Sequence, residues 1–184
     1  MSAGEDHVSR ALGEPVILSD YDPAWPALFE AEAARLRALL ADLPIGRIEH
    51  IGSTSVPGLA GKPIVDLMVE VSDYALVRER IAPILSDAGY AFFWRPVSPG
   101  DAEIDYAWFI RRDAEGRRTH HVHMAPAASR YWDRVTFRDR LRADPALAAE
   151  YAAVKTAALE ECEGDRAAYS RAKGDFIRRV LAGE

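Results

Sequence analysis

The sequence predicts one α/β domain with a mixed β-sheet, flanking helices and a C-terminal helical region. Apolar runs of strand length alternate with helical patterns up to Ala125. Residues 63–71 are apolar on both faces apart from Asp66 and Glu70, which is typical of a strand covered by helices on both sides. From Ser129 onward the pattern is helical. These helical residues are too few for a core of their own, so we expect them to pack over the sheet.

The chain has 184 residues, which is enough to bury a core without disulfides or a structural metal. Residues 1–14 show no periodicity and are predicted to form a flexible N-terminal arm. Residues 15–184 are predicted to form a single domain.

The individual elements follow from turn and capping residues. Strands are expected at 15–18 as an edge strand, 45–51, 63–71 as the central strand, and 90–94, with a hairpin made by 105–111 and 119–125. Helices are expected to begin at Asp22-Pro23, to cover 73–89 and 130–142, to begin again at Asp144-Pro145, and to run from Asp165 to about Leu181. Residues 95–103 are expected to form a loop.

Composition and charge exclude several classes of protein. No run approaches the ~20 apolar residues that span a bilayer, and the N-terminus does not resemble a secretory signal, so we expect a soluble, cytoplasmic protein without a membrane partner. The formal net charge of −6 argues against sequence-independent binding of nucleic acid. The single cysteine, Cys162, lies among glutamates that disfavour a thiolate, so no redox or nucleophilic role is expected for it.

A loop rich in glycine and serine joins two of the predicted strands, and an acid follows thirteen residues after Ser53. Phosphate transfer needs close backbone approach to the phosphate oxygens, hydroxyl and N–H donors to hold them, and a carboxylate for a divalent metal such as Mg²⁺. The residues that could supply these parts are Gly52, Ser53, Thr54, Ser55, Lys62 and Asp66. The alternatives are an ordinary Gly-Ser loop and a capping role for Asp66.

This layout resembles the signature of the nucleotidyltransferase superfamily, in which a Gly-Ser turn precedes a strand with two acids two residues apart. A third acid comes from a neighbouring strand. In this chain Met68 stands at the position of the second acid, and a thioether is a poor ligand for Mg²⁺. Glu70 is ~13 Å from Asp66 along an extended strand and cannot take the place of the second acid. The difference puts the two-metal mechanism of the superfamily in doubt.

His121 and His123 alternate on a predicted strand, so their rings should point to one face while His120 points to the other. If this strand lies beside the Asp66 strand, a site of Asp66, His121 and His123 would suit Zn²⁺, Mn²⁺, Fe²⁺ or Ni²⁺ better than Mg²⁺. The pair could hold the metal or act as acid and base, and the alternative is a pair of ordinary strand histidines. His50 could be a further ligand or could shape the turn.

Two lysines lie on or beside apolar stripes of the C-terminal helices, Lys155 and Lys173. Their ammonium groups could reach a substrate phosphate between helices and sheet, or their stems could be covered while the charges reach solvent. A row of four arginines spaced four residues apart predicts a solvated, ion-paired helix face rather than a phosphate clamp: Arg130, Arg134, Arg138 and Arg142.

Taken together, the motifs resemble the GrpB family over nearly the whole chain after the arm. The segments that carry the resemblance are Tyr21-Asp-Pro-x-Trp-Pro26, Glu49-His-Ile-Gly-Ser-Thr-Ser-Val-Pro-Gly58, Lys62-Pro-Ile-Val-Asp66, His121-Val-His123, Phe137-Arg-Asp-x-Leu-Arg142, Tyr151-x-x-x-Lys155 and Tyr169-x-x-x-Lys173. The family also occurs as a domain fused to some dephospho-CoA kinases. The resemblance implies a nucleotidyltransferase-like fold with a helical C-terminal portion. Because its Phe137–Arg142 segment contains Arg138 and Arg142, these two are exceptions to the solvated row, with either a structural role or a site role in which Arg138 binds phosphate.

Three functions are open at this point. The first is a metal-dependent nucleotidyl or phosphoryl transferase, with Mg²⁺ or Mn²⁺, or with Zn²⁺, Fe²⁺ or Ni²⁺ through the histidine pair, and with a nucleotide or other phosphorylated small molecule as ligand. The second is an accessory domain that binds a nucleotide or small ligand without catalysis. The third is a metal-dependent hydrolase.

Overall fold

A five-stranded mixed sheet organises the chain. The computed structural model describes Glu14 and residues 16–96, 104–162 and 166–183. The strands are β1, Ile45–Ile51; β2, Val65–Val71; β3, Ala91–Pro96; β4, Ile104–Arg112; and β5, Arg118–Pro126. Their order across the sheet is β1-β2-β5-β4-β3. Only β2 and β5 pair in parallel among these neighbours.

Helices flank this sheet and follow it along the chain. The helix α1, Trp25–Leu39, precedes the strands, and a 3₁₀ turn, Ser53–Ser55, follows β1. Between β2 and β3 lies α2, which joins Tyr74–Leu76, a π-helical turn at Val77–Ile81 and Ala82–Asp87. After the sheet come a 3₁₀ turn, Arg130–Trp132, and the helices α3, Asp133–Ala143; α4, Pro145–Glu161; α5, Arg166–Ala172; and α6, Gly174–Ala182. The predicted fold class, a mixed sheet with flanking helices and a helical C-terminal region, is confirmed.

Aspartates begin three of these helical segments, as the sequence predicts. Asp22, Asp73 and Asp144 each accept hydrogen bonds from backbone N–H groups two or three residues later, at 2.7–3.1 Å. Asp73 and Asp144 satisfy N–H groups of the first turn that have no partner within the helix, whereas Asp22 closes the turn just before α1, whose N-cap is Ala24.

Alternation along the strands divides their side chains between two faces of the sheet. Leu67 and Val69 of β2 point into the main hydrophobic core, which α1 and α2 cover. Asp66, between Val65 and Leu67, points to the opposite face, and the 3₁₀ turn covers part of that face through Tyr131. The face that carries Asp66 therefore turns toward the C-terminal part of the chain.

Several predicted elements differ from the structure. The central strand is β5, not residues 63–71, and β2 begins at Val65 because Pro63 has no N–H to donate. Residues 16–18 form no strand, and one bridge between Ser19 and Gly61 is the pairing seen there. The last predicted helix is two helices that meet at Lys173. The predicted arm apart from Glu14, most of the 95–103 loop and the Asp165 cap lie outside the described residues.

Within the described ranges, no helix combines the length and apolar character needed to cross a bilayer.

Candidate functional site

Asp66, His121 and His123 lie together on one face of the sheet. The parallel register pairs Asp66 with His121 and Met68 with His123, so the carboxylate stands beside both imidazoles of the next strand. Oδ1 of Asp66 is 3.0 Å from Nδ1 of His121 and 3.3 Å from Nε2 of His123. Since a carboxylate only accepts hydrogen bonds, both ring nitrogens donate to it when no metal is bound, and binding of a metal through these atoms requires each ring proton to lie on the other nitrogen. The structure thus brings together three residues that are up to 57 positions apart in the sequence.

The surroundings keep the two histidines neutral and the aspartate ionised near pH 7. Burial lowers the pKa of His121 to about 4, against the opposing effect of Asp66, and burial also lowers the pKa of His123. Burial acts to raise the pKa of Asp66, but hydrogen bonds from the two histidines outweigh it and hold that pKa well below its usual range. One carboxylate and two neutral imidazoles are the protonation states in which these side chains bind metals.

The spacing of this Asp-His-His triad fits a divalent cation. One ligand atom from each residue lies within 4.8 Å of the other two. Ligands about 2.0–2.2 Å from a tetrahedral ion are roughly 3.3–3.6 Å apart. The separations of 3.0 and 3.3 Å between Asp66 and the two rings are close to that requirement. Two imidazoles and a carboxylate suit Zn²⁺, Mn²⁺, Fe²⁺ or Ni²⁺, whereas Mg²⁺ prefers oxygen ligands.

Tyr131 contacts His123 at the ring nitrogen that does not face Asp66. Its hydroxyl lies 3.0 Å from Nδ1 of His123, whereas Nε2 of that ring faces Asp66. Tyr131 is buried, and burial raises the pKa of its hydroxyl, which therefore stays protonated. A partner of this kind fixes the orientation and tautomer of a metal-binding histidine.

No second carboxylate joins Asp66 from its own strand. Met68 is fully buried in an apolar cluster with Ile51 and Tyr131. Glu70 instead pairs with Arg47, whose Nε lies 3.0 Å from its carboxylate. The expectation that Glu70 does not replace the missing acid agrees with this arrangement.

Gly52 brings the backbone of the Gly-Ser loop against Asp66. Its φ is +75°, and a Cβ at this position would lie 2.5 Å from Oδ2 of Asp66. Both the backbone conformation and the close approach require glycine. Gly58, later in the same loop, has a φ of +77° but open space where its Cβ would stand.

Lys155 holds the Gly-Ser loop from α4. Its Nζ donates to Oγ of Ser53 at 3.1 Å and to the carbonyl oxygen of Ala60. Lys155 is 1% exposed, and burial lowers the pKa of its ammonium to about 8, so it remains largely protonated at neutral pH. Because the ammonium donates to Oγ, the hydroxyl hydrogen of Ser53 is left for a different acceptor.

The other two hydroxyls of the loop are used within the protein. Oγ1 of Thr54 is 3.0 Å from Nε2 of His50, and Oγ of Ser55 donates to the carbonyl of Gly52 at 2.5 Å. His50 pairs with Leu67 and so faces away from Asp66. The structure supports a role for His50 in shaping the turn and does not place it with the triad.

Arg138 does not join the triad either. Its NH1 donates to Glu49 and to the carbonyl of His50, both at 2.8 Å, and the residue is 8% exposed. Nε of Arg142 donates to the carbonyl of Ser55 at 2.8 Å. Arg138 is thus buried and paired with Glu49, Arg142 is exposed, and both arginines tie α3 to β1 and the loop after it, which agrees with a structural role for this pair. The sequence could not show which face of α3 meets the sheet.

Lys62 and Lys173 lie within electrostatic reach of the triad. Burial is the largest cause of the lowered pKa values of both triad histidines, and the charge of Lys62 lowers these values further. Burial lowers the pKa of the Lys173 ammonium to about 7. The positive charges of Lys62, Lys155 and Arg134, in that order, lower this pKa further, and the negative charge of Asp66 opposes them.

Arg134 belongs to this group, although its spacing places it in the predicted solvated row. Its guanidinium carbon lies 4.1 Å from the centroid of the Tyr131 ring. The same arrangement holds for two lysines, Lys155 at 5.0 Å from the Tyr151 ring and Lys173 at 4.0 Å from the Tyr169 ring. A tyrosine followed three or four residues later by a cation occurs four times in the sequence, and in these three cases the cation lies on the ring of that tyrosine, whereas Arg78 after Tyr74 lies on Trp94. This spacing is the sequence signal that could have found Arg134.

Comparison with known proteins agrees with this architecture. The model of the family described as GrpB protein matches residues 15–183. The chain belongs to the GrpB family. A UPF0157 protein of Pseudomonas aeruginosa is 41% identical over 175 residues, which cover 94% of this GrpB chain and 69% of that protein. The crystal structure of conserved protein GrpB from Enterococcus faecalis superposes with a TM-score of 0.75 at 31% identity, over 91% of this chain and 96% of that one.

A GrpB-like region also occurs within a longer relative. The dephospho-CoA kinase of Mycolicibacterium paratuberculosis is 31% identical over 186 residues, which cover 89% of this chain but 44% of the kinase. The GrpB chain thus corresponds to less than half of that relative.

Proposed function

We propose that this GrpB protein is a divalent-metal-dependent enzyme that transfers a phosphoryl or nucleotidyl group from a small phosphorylated molecule. The observation that carries the proposal is the contact of the Gly-Ser loop with the triad. Gly52 lies against Asp66 so closely that a Cβ would stand 2.5 Å from its carboxylate, and Asp66 is the centre of the candidate metal ligands. A phosphate at the loop would adjoin a metal at the triad.

Each residue of the site has a defined part in this proposal. A divalent cation bound by Asp66, His121 and His123 would neutralise charge on the phosphate oxygens. The Ser53 hydroxyl, whose oxygen accepts from Lys155, donates its hydrogen to a phosphate oxygen. The ammonium groups of Lys62 and Lys173 add positive charge around the transferred group.

The longer relative supports the proposal that the GrpB site acts on phosphorylated molecules. A dephospho-CoA kinase carries a region similar to this chain, so a GrpB unit is compatible with a protein that handles nucleotides. A second candidate is an accessory domain that binds a nucleotide without turnover. Met68 favours it, because a buried thioether at the position of the second acid cannot hold a second Mg²⁺.

The test compares metal binding and turnover in three proteins. Isothermal titration with Mn²⁺ and with Zn²⁺ should show binding to the wild type and to Asp73→Asn, a control at an exposed helix cap remote from the triad. Asp66→Asn should weaken that binding roughly tenfold or more, because it removes the charge shared by both imidazoles. Unchanged metal binding in Asp66→Asn would exclude the proposed metal site.

The same proteins are then incubated with ATP, GTP, CTP or UTP and each metal, with and without a small-molecule extract as acceptor. A metal-dependent adduct formed by the wild type and lost in Asp66→Asn supports transfer. Release of phosphate or diphosphate without an adduct would assign the site to hydrolysis, and nucleotide binding without turnover would assign it to the accessory role.

A further inference from the structure

We infer that Ser53 is a nucleophile and Lys155 is its general base, so that transfer at this site proceeds through a phosphate ester of the serine oxygen. The inference rests on the proposed function for the identity of the transferred group. It adds the route of the reaction and assigns catalytic roles to two residues that lie 102 positions apart.

The contact between the two residues has the geometry of a nucleophile and its base. Nζ of Lys155 lies 3.1 Å from Oγ of Ser53, and a base that activates a serine lies within about 2.6–3.2 Å of the hydroxyl. Nζ also donates to the carbonyl oxygen of Ala60, which holds it at the loop. A neutral amine keeps two hydrogens, so it retains the Ala60 contact while its lone pair accepts the hydrogen of Ser53.

Burial favours the neutral form of Lys155. The residue is 1% exposed, and burial lowers the pKa of its ammonium from 10.5 to about 8. At pH 7 roughly a tenth of the molecules then carry the neutral amine, against about one in three thousand for an unperturbed lysine. The charged form leaves the Ser53 hydrogen to a bound phosphate, and the neutral form takes that hydrogen. A pKa near the working pH is what a general base requires.

Ser53 is the accessible hydroxyl of the Gly-Ser loop. It is half-buried, whereas Thr54 and Ser55 are 0% and 4% exposed. The hydroxyls of these two residues bond to His50 and to the carbonyl of Gly52. A reacting phosphorus can therefore reach Ser53, while the other two hydroxyls are enclosed by the protein.

The position of Ser53 is also restricted by Gly61. A Cβ at Gly61 would lie 2.6 Å from Cβ of Ser53, so this close approach requires glycine. Gly61 is fixed in turn by two backbone hydrogen bonds with Ser19, each 2.9 Å. Packing against Gly61 and the contact with Lys155 hold the serine side chain in place, and a nucleophile held in place loses less entropy in the transition state.

The serine lies next to the candidate metal site. Gly52 precedes it directly, and a Cβ at Gly52 would lie 2.5 Å from Oδ2 of Asp66. A phosphoryl group held at the loop would therefore adjoin a cation bound by the triad. Such a cation withdraws charge from the phosphoryl oxygens and makes the phosphorus more reactive toward Oγ.

Two steps carry the group from donor to acceptor. In the first, Oγ of Ser53 attacks the phosphorus, its hydrogen passes to the neutral amine of Lys155, and the leaving group departs with the electron pair of the broken bond. In the second, a hydroxyl of the acceptor attacks the same phosphorus and releases its proton to solvent. The bond from phosphorus to Oγ breaks, and the ammonium of Lys155 returns the hydrogen to the serine oxygen.

An alkyl fluorophosphonate, which esterifies activated serines, tests the pair without metal. The wild type is incubated with it in EDTA, and the adduct is located by peptide mass spectrometry. Oγ of Ser53 should bond to phosphorus as the phosphorus–fluorine bond breaks and fluoride leaves. Ser72 is more exposed and donates to Asp73 at 2.9 Å. It should stay unlabelled, because hydrogen bonds from the Leu76 N–H and from Ser72 hold the pKa of Asp73 below its usual value and make it a weak base.

Variants separate a catalytic lysine from a structural one. Ser53→Ala should remove the label, and Ser72→Ala should keep it. Lys155→Met and Lys155→Arg should each slow labelling by at least about a hundredfold. Arginine keeps a cation and donors for Ser53 and Ala60 but does not lose its proton, so it preserves the contact without a base. Circular dichroism and urea unfolding check that each variant is folded.

An unlabelled Ser53 in the wild type would overturn the inference, even if a Lys155 variant does not fold. Labelling of Lys155→Arg at the wild-type rate would also overturn it. Mn²⁺ titration of the wild type and Asp66→Asn separates the inference from the proposed function. Equal Mn²⁺ affinities would contradict the metal site, while a labelled Ser53 would still support the nucleophile. Metal-dependent transfer by a protein whose Ser53 is not labelled would contradict the nucleophile alone.

Discussion

The ammonium of Lys155 lies 3.1 Å from the hydroxyl oxygen of Ser53, although 102 residues separate them in the sequence. One residue is buried in a C-terminal helix and the other stands in the loop against Asp66. This contact joins the helical region to the Gly-Ser loop, so the loop conformation depends on the packing of α4. The contact also keeps the ammonium of Lys155 buried, where its charged form is costly.

Lys155→Met should remove a pH dependence of stability. The pKa of Lys155 is 10.5 when unperturbed and about 8 in the folded protein because of burial. Between these values the unfolded chain binds a proton that the folded chain lacks. The free energy of unfolding of the wild type should therefore rise with pH across this interval, by up to about 3 kcal/mol, and the gain is lost as the pH falls to about 8. Methionine keeps most of the side-chain volume without a titrating group.

Urea unfolding of the two proteins between neutral pH and 10.5 measures this difference. The wild type should gain stability relative to Lys155→Met as the pH rises. Parallel stability curves for the two proteins would contradict a low pKa for Lys155.

Gly52→Ala and Gly58→Ala form a matched pair, since both glycines have φ near +75° but only the first approaches another side chain. Gly58→Ala should lose about 1–2 kcal/mol of stability from backbone strain alone. Gly52→Ala should lose more, and its metal affinity should fall roughly tenfold, because the new Cβ displaces the Asp66 carboxylate. Chemical unfolding and metal titration check both effects. Equal losses in the two variants would show that the close approach to Asp66 has no consequence.

Tyr131→Phe should weaken metal binding by about 10–100-fold with little loss of folding, because it removes the hydroxyl that orients His123. Tyr21→Phe removes a tyrosine hydroxyl elsewhere and serves as the control. Isothermal titration with Zn²⁺ measures both. If Tyr131→Phe and Tyr21→Phe bind the ion equally well, the hydroxyl has no part in the site.

Glu32→Gln should reduce stability by about 2–3 kcal/mol without changing metal binding. Glu32 is 1% exposed on α1, accepts from the hydroxyl of Tyr90 and from the side chain of Arg111, and lies across the sheet from the triad. Glu30→Gln, an exposed change on the same helix, should be nearly neutral. Thermal unfolding and Mn²⁺ titration distinguish the two effects, and a loss of Mn²⁺ affinity in Glu32→Gln would contradict the independence of the two faces.

Local pattern was sufficient to predict part of the site. The two-residue period of a strand places His121 and His123 on one face. Gly52 is predicted to let the backbone approach a phosphate, and its approach to the Asp66 carboxylate is seen only in the structure. That Asp66 is the partner of both rings depends on the parallel pairing of β2 with β5, a contact across more than fifty residues. Such pairing has no local signal. The sequence therefore predicts the site only on the condition that the two strands are neighbours.

The errors have the same origin. The apolar run at 15–18 has the composition of a strand, but Ser19 and Gly61 form the pairing there, so composition without a partner gives no strand. Arg138 could be assigned a structural or a site role from its motif, and the choice depends on α3, which turns it toward Glu49 and the backbone of His50. Arg134 escapes notice because it lies on the ring of Tyr131, a contact that a pattern of charges does not predict.

The register between β2 and β5 has a consequence for insertions and deletions in related chains. One added residue just before His120 would turn His121 and His123 to the other side of the sheet and present His120 to Asp66 instead. Residues added in the turn at 113–117 would leave that register unchanged. Homologues that keep the triad should therefore vary in length at the hairpin turn and be constant in length from Arg118 to His123.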